Sequence, residues 1–137
     1  VTGLADPVQA IQNLKARYCA VADSAAGDPE GARRAFGAIF MPDIVADYGY
    51  GPMHGADALG DFLCTAIAAG SEWVLHMIHS PMIEITGETA RGDWTVMAHL
   101  KRRAGGQVDV VLGRYADEFR LTPEGWRITR VTFSRLT

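Results

Sequence analysis

Ile11, Leu14, Tyr18 and Val21 are spaced three to four residues apart, the repeat that lines one face of a helix. Asp6-Pro7 stands just ahead of them, an N-cap residue followed by proline at the first helical position. Ala26-Gly27-Asp28-Pro29 breaks this helix. A second, short helix has Ala32, Phe36, Ile39 and Phe40 as its apolar side and ends at Met41-Pro42-Asp43. Ile44 to Tyr48 reads as a short strand, and the glycine-rich stretch 49–55 as a loop. A third helix is predicted from Ala56 to Ala69. Its apolar face is Leu59, Phe62, Leu63, Ala66 and Ile67, and Gly70 is its C-cap.

From Trp73 onward the pattern alternates. Strands are predicted near 73–86, 89–103, 107–121 and 126–136, with turns at Gly87-Glu88, Ala104-Gly105-Gly106 and Pro123-Glu124-Gly125. Pro81 inside the first long strand calls for a bulge or an edge position, because proline cannot donate to a ladder. Helices first and strands afterwards predict an α+β fold. A curved antiparallel sheet wrapped over the helices is the expected closure, leaving a cone-shaped cavity at one end.

Composition narrows the class. The 137 residues predict one domain, 1–137, and 48% hydrophobic with 21% charged residues argues against disorder. Apolar runs are far shorter than the roughly 20 residues that span a bilayer. No cationic region precedes an apolar stretch, so no secretory signal and a cytoplasmic location are expected. Cys19 and Cys64 are not spaced as a redox or metal pair and read as buried free thiols. The net charge is −3, and the one dense basic cluster, Lys101-Arg102-Arg103, reads as a solvated hairpin end. Neither a nucleic-acid nor a membrane partner is expected.

The chemistry concentrates on a few residues. If Gly87-Glu88 is a two-residue turn, Thr86 pairs with Thr89, and counting back sets His76 opposite His99 on one face of the sheet. A bulge would break that parity. His79, three residues from His76, would face the other way, and His54 sits in the glycine loop as a pocket-rim residue. Asp23 closes the first helix, where its charge opposes the macrodipole unless a partner holds it. An imidazole would be such a partner, and the pairing would fix the ring's tautomer and raise its basicity. Tyr18, Tyr48 and Tyr115 are either hydroxyl donors to a carbonyl or buried tyrosines with backbone partners. Arg114 reads as an anion clamp or as part of an outer face. Asp23, His76 and His99 have the composition of a facial metal triad. The ligand spacing that would mark a metal site is missing, so no metal is expected.

The segments Ile11-Gln12-Asn13-Leu14, Arg17-Tyr18, Asp23, Phe40-Met41-Pro42-Asp43, Asp47-Tyr48 and Gly55 occur in a distinctive order. So do His76 ahead of Met82-Ile83-Glu84-Ile85, Gly113-Arg114-Tyr115 with Asp117, and Gly125-Trp126-Arg127-Ile128. From about Pro7 to Arg135 the chain resembles the SnoaL-like branch of the nuclear transport factor 2-like superfamily. Within that branch it is similar to scytalone dehydratase, hexachlorocyclohexane dehydrochlorinase and bile acid 7α-dehydratase. The resemblance implies an α+β fold in which a strongly curved, mostly antiparallel sheet packs on the N-terminal helices as a conical barrel with a single mouth. It also implies Asp23 orienting His76 as a base, with His99, Tyr48 and Tyr18 as further site residues. Ala22 stands where scytalone dehydratase has a tyrosine, and Ser80-Pro81 replaces a common asparagine. Substrate identity therefore does not carry over.

The expected function is a cofactor-independent lyase of the dehydratase type acting on a small, largely apolar cyclic ligand. Asp23, His76, His99, Tyr48 and Tyr18 would be catalytic, and Arg114, Tyr115 and His54 would bind substrate. The alternatives are an isomerase or cyclase with the same parts, or a non-catalytic module like the β-subunit of ring-hydroxylating dioxygenases. One face of the second long strand carries Trp94, Val96, Ala98 and Leu100. If the histidine face lines the cavity, that apolar face is left exposed, and a homodimer or homotrimer is expected.

Overall fold

The computed structural model describes residues 6–137, apart from the side chains of Ala66 and Ile67. Helix α1 spans Pro7–Ser24, and the Asp6 carboxylate accepts a hydrogen bond from the Val8 N–H at 3.0 Å. Helix α2 spans Pro29–Phe36, capped in the same way by Asp28 on the Gly31 N–H at 3.0 Å. Strand β1 is Phe40–Asp47 and β2 is Pro52–His54. Helix α3, Ala56–Asp61, continues as a π-helical segment, Phe62–Ile67. Strands β3 (Ser71–Thr86), β4 (Thr89–Arg102), β5 (Val108–Thr122) and β6 (Gly125–Arg135) complete a six-stranded sheet in the order β2-β1-β6-β5-β4-β3. All neighbours are antiparallel except β1 and β6. This is the expected α+β architecture. No described helix is long and apolar enough to cross a membrane.

The helical layer packs on the inner face of the sheet. Ile11, Leu14 and Tyr18 of α1 are at most 1% exposed, and they meet Phe36, Ile44, Phe119, Ile128 and Val131 in one core. Phe36 and Phe40 stack at 4.9 Å. Burial of this kind contributes roughly 1.5–3 kcal/mol for each large side chain.

Three local expectations are corrected. Phe40 belongs to β1, not to the second helix, because the chain turns at Ile39, whose carbonyl accepts from the Ile128 N–H at 2.9 Å. The 49–55 loop contains β2, which adds to β1 through the pair Val45–His54. The third helix changes to π geometry at Phe62, with the Ala68 N–H on the Leu63 carbonyl at 3.3 Å. The expected places of Ala66 and Ile67 on its apolar face lie outside the described side chains.

The largest correction concerns β3. From Thr86–Thr89 to Met82–Asp93 the register is the one expected from a Gly87-Glu88 turn. Two residues, Ser80 and Pro81, then stand against Trp94 alone, and Ser80 takes a positive φ of 53°. Beyond this bulge His76 pairs with Ala98, and His99 pairs with Leu75. His76 and His99 therefore lie on opposite faces of the sheet. Pro81 sits both at a bulge and on the edge strand, as a residue without an N–H donor requires.

Candidate active site

A cavity of about 390 Å³ opens between the inner sheet face, α1 and the π-helical segment. Val74, Val96, Ala98, Leu100, Val111 and Phe133 form much of its apolar wall. His76, Tyr18, Tyr48 and Tyr115 bring polar atoms to it.

Asp23 sits one residue from the end of α1, against β3. Its carboxylate accepts from the His76 backbone N–H at 3.0 and 3.2 Å and from the ring Nδ1 at 2.6 Å. These contacts offset the unfavourable position near a helix C-terminus. They also set the tautomer. Nδ1 carries the proton toward the carboxylate, and Nε2 keeps its lone pair. Both side chains are largely buried, at 21% and 15% exposure.

The three tyrosine hydroxyls form a chain. The Tyr18 hydroxyl contacts the Tyr48 hydroxyl closely and lies 3.4 Å from that of Tyr115. Two contacts use two of the three O–H protons, so one proton remains for an acceptor in the cavity. Burial is the first cause holding the Tyr18 and Tyr115 phenols well above their usual range, and Tyr48 is raised for the same reason. All three stay protonated donors near neutral pH.

Behind the tyrosines lies an ion pair that sequence reasoning missed. Lys15 Nζ is 2.7 Å from Asp117 Oδ2, and both side chains have zero exposure. The ammonium rests 3.7 Å from the Tyr18 ring centre and 3.6 Å from that of Tyr115. Neither charged group has a further hydrogen-bond partner among the described residues. Burial pushes the Asp117 carboxyl up to about 6, against the lowering pull of Lys15. Two signals could have found the pair. Lys15 falls on the buried stripe of α1, four residues after Ile11 and three before Tyr18. Asp117 alternates inward with Tyr115 and Phe119 on β5.

Several expected site residues fall elsewhere. His99 faces outward between Leu75 and Val110, because the bulge reverses the parity it was counted on. Arg114 points outward beside Thr95 and Ser134, since its neighbour Tyr115 takes the inward position. His54 lies exposed on β2, outside the cavity lining. Asp23, His76 and His99 cannot converge on one ion, and no metal-ligand cluster of three or more residues occurs among the described residues. Cys19 and Cys64 are free and buried, and burial raises the Cys19 thiol to about 11.

The sequence profile of the SnoaL-like domain matches residues 5–132. The chain belongs to the SnoaL-like family. Its fold is the nuclear transport factor 2-like α+β fold. No curated protein matches the sequence significantly. Among solved structures, this SnoaL-like chain is similar to a candidate aromatic ring hydroxylase from Novosphingobium aromaticivorans. That match has a TM-score of 0.83 and 26% identity and covers 99% of this chain and 93% of that one. A candidate scytalone dehydratase from Novosphingobium aromaticivorans matches with a TM-score of 0.82 and 19% identity, over 95% and 84% of the two chains. A hexachlorocyclohexane dehydrochlorinase from Novosphingobium barchaimii matches with a TM-score of 0.80 and 15% identity, over 95% and 86%.

Proposed function

We propose that this SnoaL-like protein is a cofactor-independent lyase of the dehydratase type, acting on a small, largely apolar cyclic molecule. One observation carries the reading. His76 is held by Asp23 through Nδ1, in the wall of an apolar cavity that also receives three tyrosine hydroxyls. Nε2 of His76 removes a proton from a carbon next to a carbonyl. The C–H electron pair becomes the carbon–carbon double bond of an enolate, whose oxygen accepts the spare tyrosine proton as a hydrogen bond. As the carbonyl re-forms, the β-hydroxyl leaves with the proton from His76, giving water and a conjugated ketone. The imidazole ends neutral, and no electrons are exchanged with a cofactor.

The neighbours named as a scytalone dehydratase and a dehydrochlorinase support this reading, since both names denote eliminations. An isomerase or cyclase would use the same first step and return the proton elsewhere. A non-catalytic assembly module of the same fold is the remaining alternative. The open cavity and the closed Asp23–His76 contact weigh toward ligand chemistry.

The test is a β-hydroxy cyclic ketone whose dehydration gives a fluorescent naphthol, together with proton exchange at the ketone α-carbon in heavy water. The wild type should catalyse both, and His76→Ala neither. Exchange that persists at wild-type rate in both His76→Ala and Asp23→Asn would reject the dyad.

We also propose that the chain forms a homo-oligomer, through the face opposite to the one first expected. Trp94, Val96 and Ala98 are buried inside. The outward rows carry Trp73 and Val108 beside Lys101, and Leu75 and Val110 beside His99, with the four hydrophobic side chains 41–50% exposed. The two free thiols fit a reducing cytoplasmic setting.

A further inference from the structure

We propose that the cavity mouth is an anion subsite, and that the ligand is an amphipathic acid: an apolar body of two or three rings ending in a carboxylate or phosphate. The inference rests on reading the cavity as a ligand site and adds the class of ligand.

Arg102 at the end of β4 and Arg135 at the end of β6 both line the cavity. Each is tethered through Nε alone. Arg102 Nε donates to Asp109 Oδ2, and Arg135 Nε donates to the main-chain oxygen of Thr137, the last residue. Among the described residues, the two terminal nitrogens of each guanidinium have no protein partner. A guanidinium fixed at its inner nitrogen and open at its outer edge presents the fork that carboxylates and phosphates accept. Arg103 differs. It spends both Nε and a terminal nitrogen on the Ala69 and Ala26 carbonyls, at 3.1 and 3.0 Å, and is a structural clamp.

The one acidic side chain in the cavity lining leaves both guanidinium edges open. Asp109 is already engaged on both oxygens, by Arg102 and by Gln107 Nε2 at 2.9 Å. Among the side chains of the lining, two arginines stand against one aspartate. Ala98, the cross-strand partner of His76, and Arg102 are four residues apart on the same face of β4. That is about 13 Å of strand. Leu100 lies between them, with Val74 and Val111 also in the lining. An apolar body would fill this stretch, with its reactive end at His76 and its charge at the arginines.

The experiment measures binding of anthracenecarboxylate, its neutral carboxamide and anthracenylmethyl phosphate by fluorescence titration. The proteins are the wild type, Arg102→Gln, Arg135→Gln, the double variant, His76→Ala and the outward-facing control Arg114→Gln. In the wild type the acid should bind about tenfold or more tightly than the amide. Each single variant should lose part of that preference and the double variant all of it, with amide affinity unchanged in these arginine variants. Arg114→Gln should behave as wild type. Tighter binding of the phosphate than of the carboxylate would identify a phosphorylated ligand, and the reverse a free acid.

Three results would overturn the proposal: an acid that binds no better than the amide or not at all, a preference that survives in the double variant, or an equal loss in Arg114→Gln. His76→Ala should keep the preference. A failed lyase reading therefore shows as absent turnover with anion selectivity intact, and a failed subsite shows as the opposite.

Discussion

Breaking the buried Lys15–Asp117 pair from one side should be far more damaging than removing it altogether. At 2.7 Å with both side chains at zero exposure, the attraction is about 6 kcal/mol at an effective dielectric near 20. Desolvating each ion costs several kcal/mol, so the pair as a whole adds little net stability. Lys15→Met removes the attraction but leaves the Asp117 carboxylate buried, and should cost about 3–5 kcal/mol. Lys15→Met combined with Asp117→Val removes both charges. Methionine keeps contact with the Tyr18 and Tyr115 rings, and the double variant should lie within about 1 kcal/mol of wild type or above it. Urea unfolding with an unchanged slope reads both values.

The penalty should also depend on pH. The folded Asp117 carboxyl titrates at about 6, above its ordinary 3.8. Between those values the folded state binds the extra proton, so this group's contribution to stability falls as pH rises through about 6. Without Lys15 the carboxyl moves higher still, and the cost of Lys15→Met should shrink from about pH 8 to about pH 5. Additive single and double effects, or a penalty indifferent to pH, would refute the picture of an uncompensated buried carboxylate.

Four further outcomes are expected. His76→Ala should lower turnover of the β-hydroxy ketone about a hundredfold to ten-thousandfold, and Asp23→Asn nearly as much, in steady-state assays. Gly113→Ala should destabilise by about 2 kcal/mol or more in the same urea experiment. Its Cβ would stand 2.6 Å from the Ser134 carbonyl oxygen, which is backbone and cannot swing away. Deleting Ser80 should remove the bulge while keeping His76 opposite Ala98 and facing the cavity, so turnover should persist, whereas deleting one residue more, Ile78, should turn His76 outward and abolish turnover in the same assay. Sedimentation at micromolar concentration should show a dimer or trimer, and Leu75→Glu on the outward face should shift it toward monomer.

Most of the fold could be read from the chain because its signals are local. Asp6-Pro7 and Asp28-Pro29 start helices in the structure as the capping rules require. Gly87, Gly105, Gly106 and Gly125, all at positive φ, fall in or beside the turns between the long strands. What could not be read depends on partners far along the chain. Phe40 continues an apolar helical pattern, yet β6 draws its segment into the sheet, and the short β2 exists only because β1 pairs with it. Lys15 reads as an ordinary solvated lysine until α1 is laid over the inward face of β5, where Asp117 waits.

The bulge at Ser80-Pro81 joins these two levels and decides the chemistry. Near the Gly87-Glu88 turn, Ile83 and Ile85 of β3 pack toward the core. An unbroken strand would keep odd-numbered residues inward and leave His76 on the outer face beside His99. One extra residue reverses the parity, so Val74 and His76 become the inward pair and His99 stays outside. Proline marked the place, and beside the bulge the Thr95 hydroxyl donates to the His79 carbonyl at 3.2 Å. Asp23 was therefore the better sequence clue than either histidine. Its charge was misplaced for a helix end, and the imidazole that compensates it is the one the bulge turns inward.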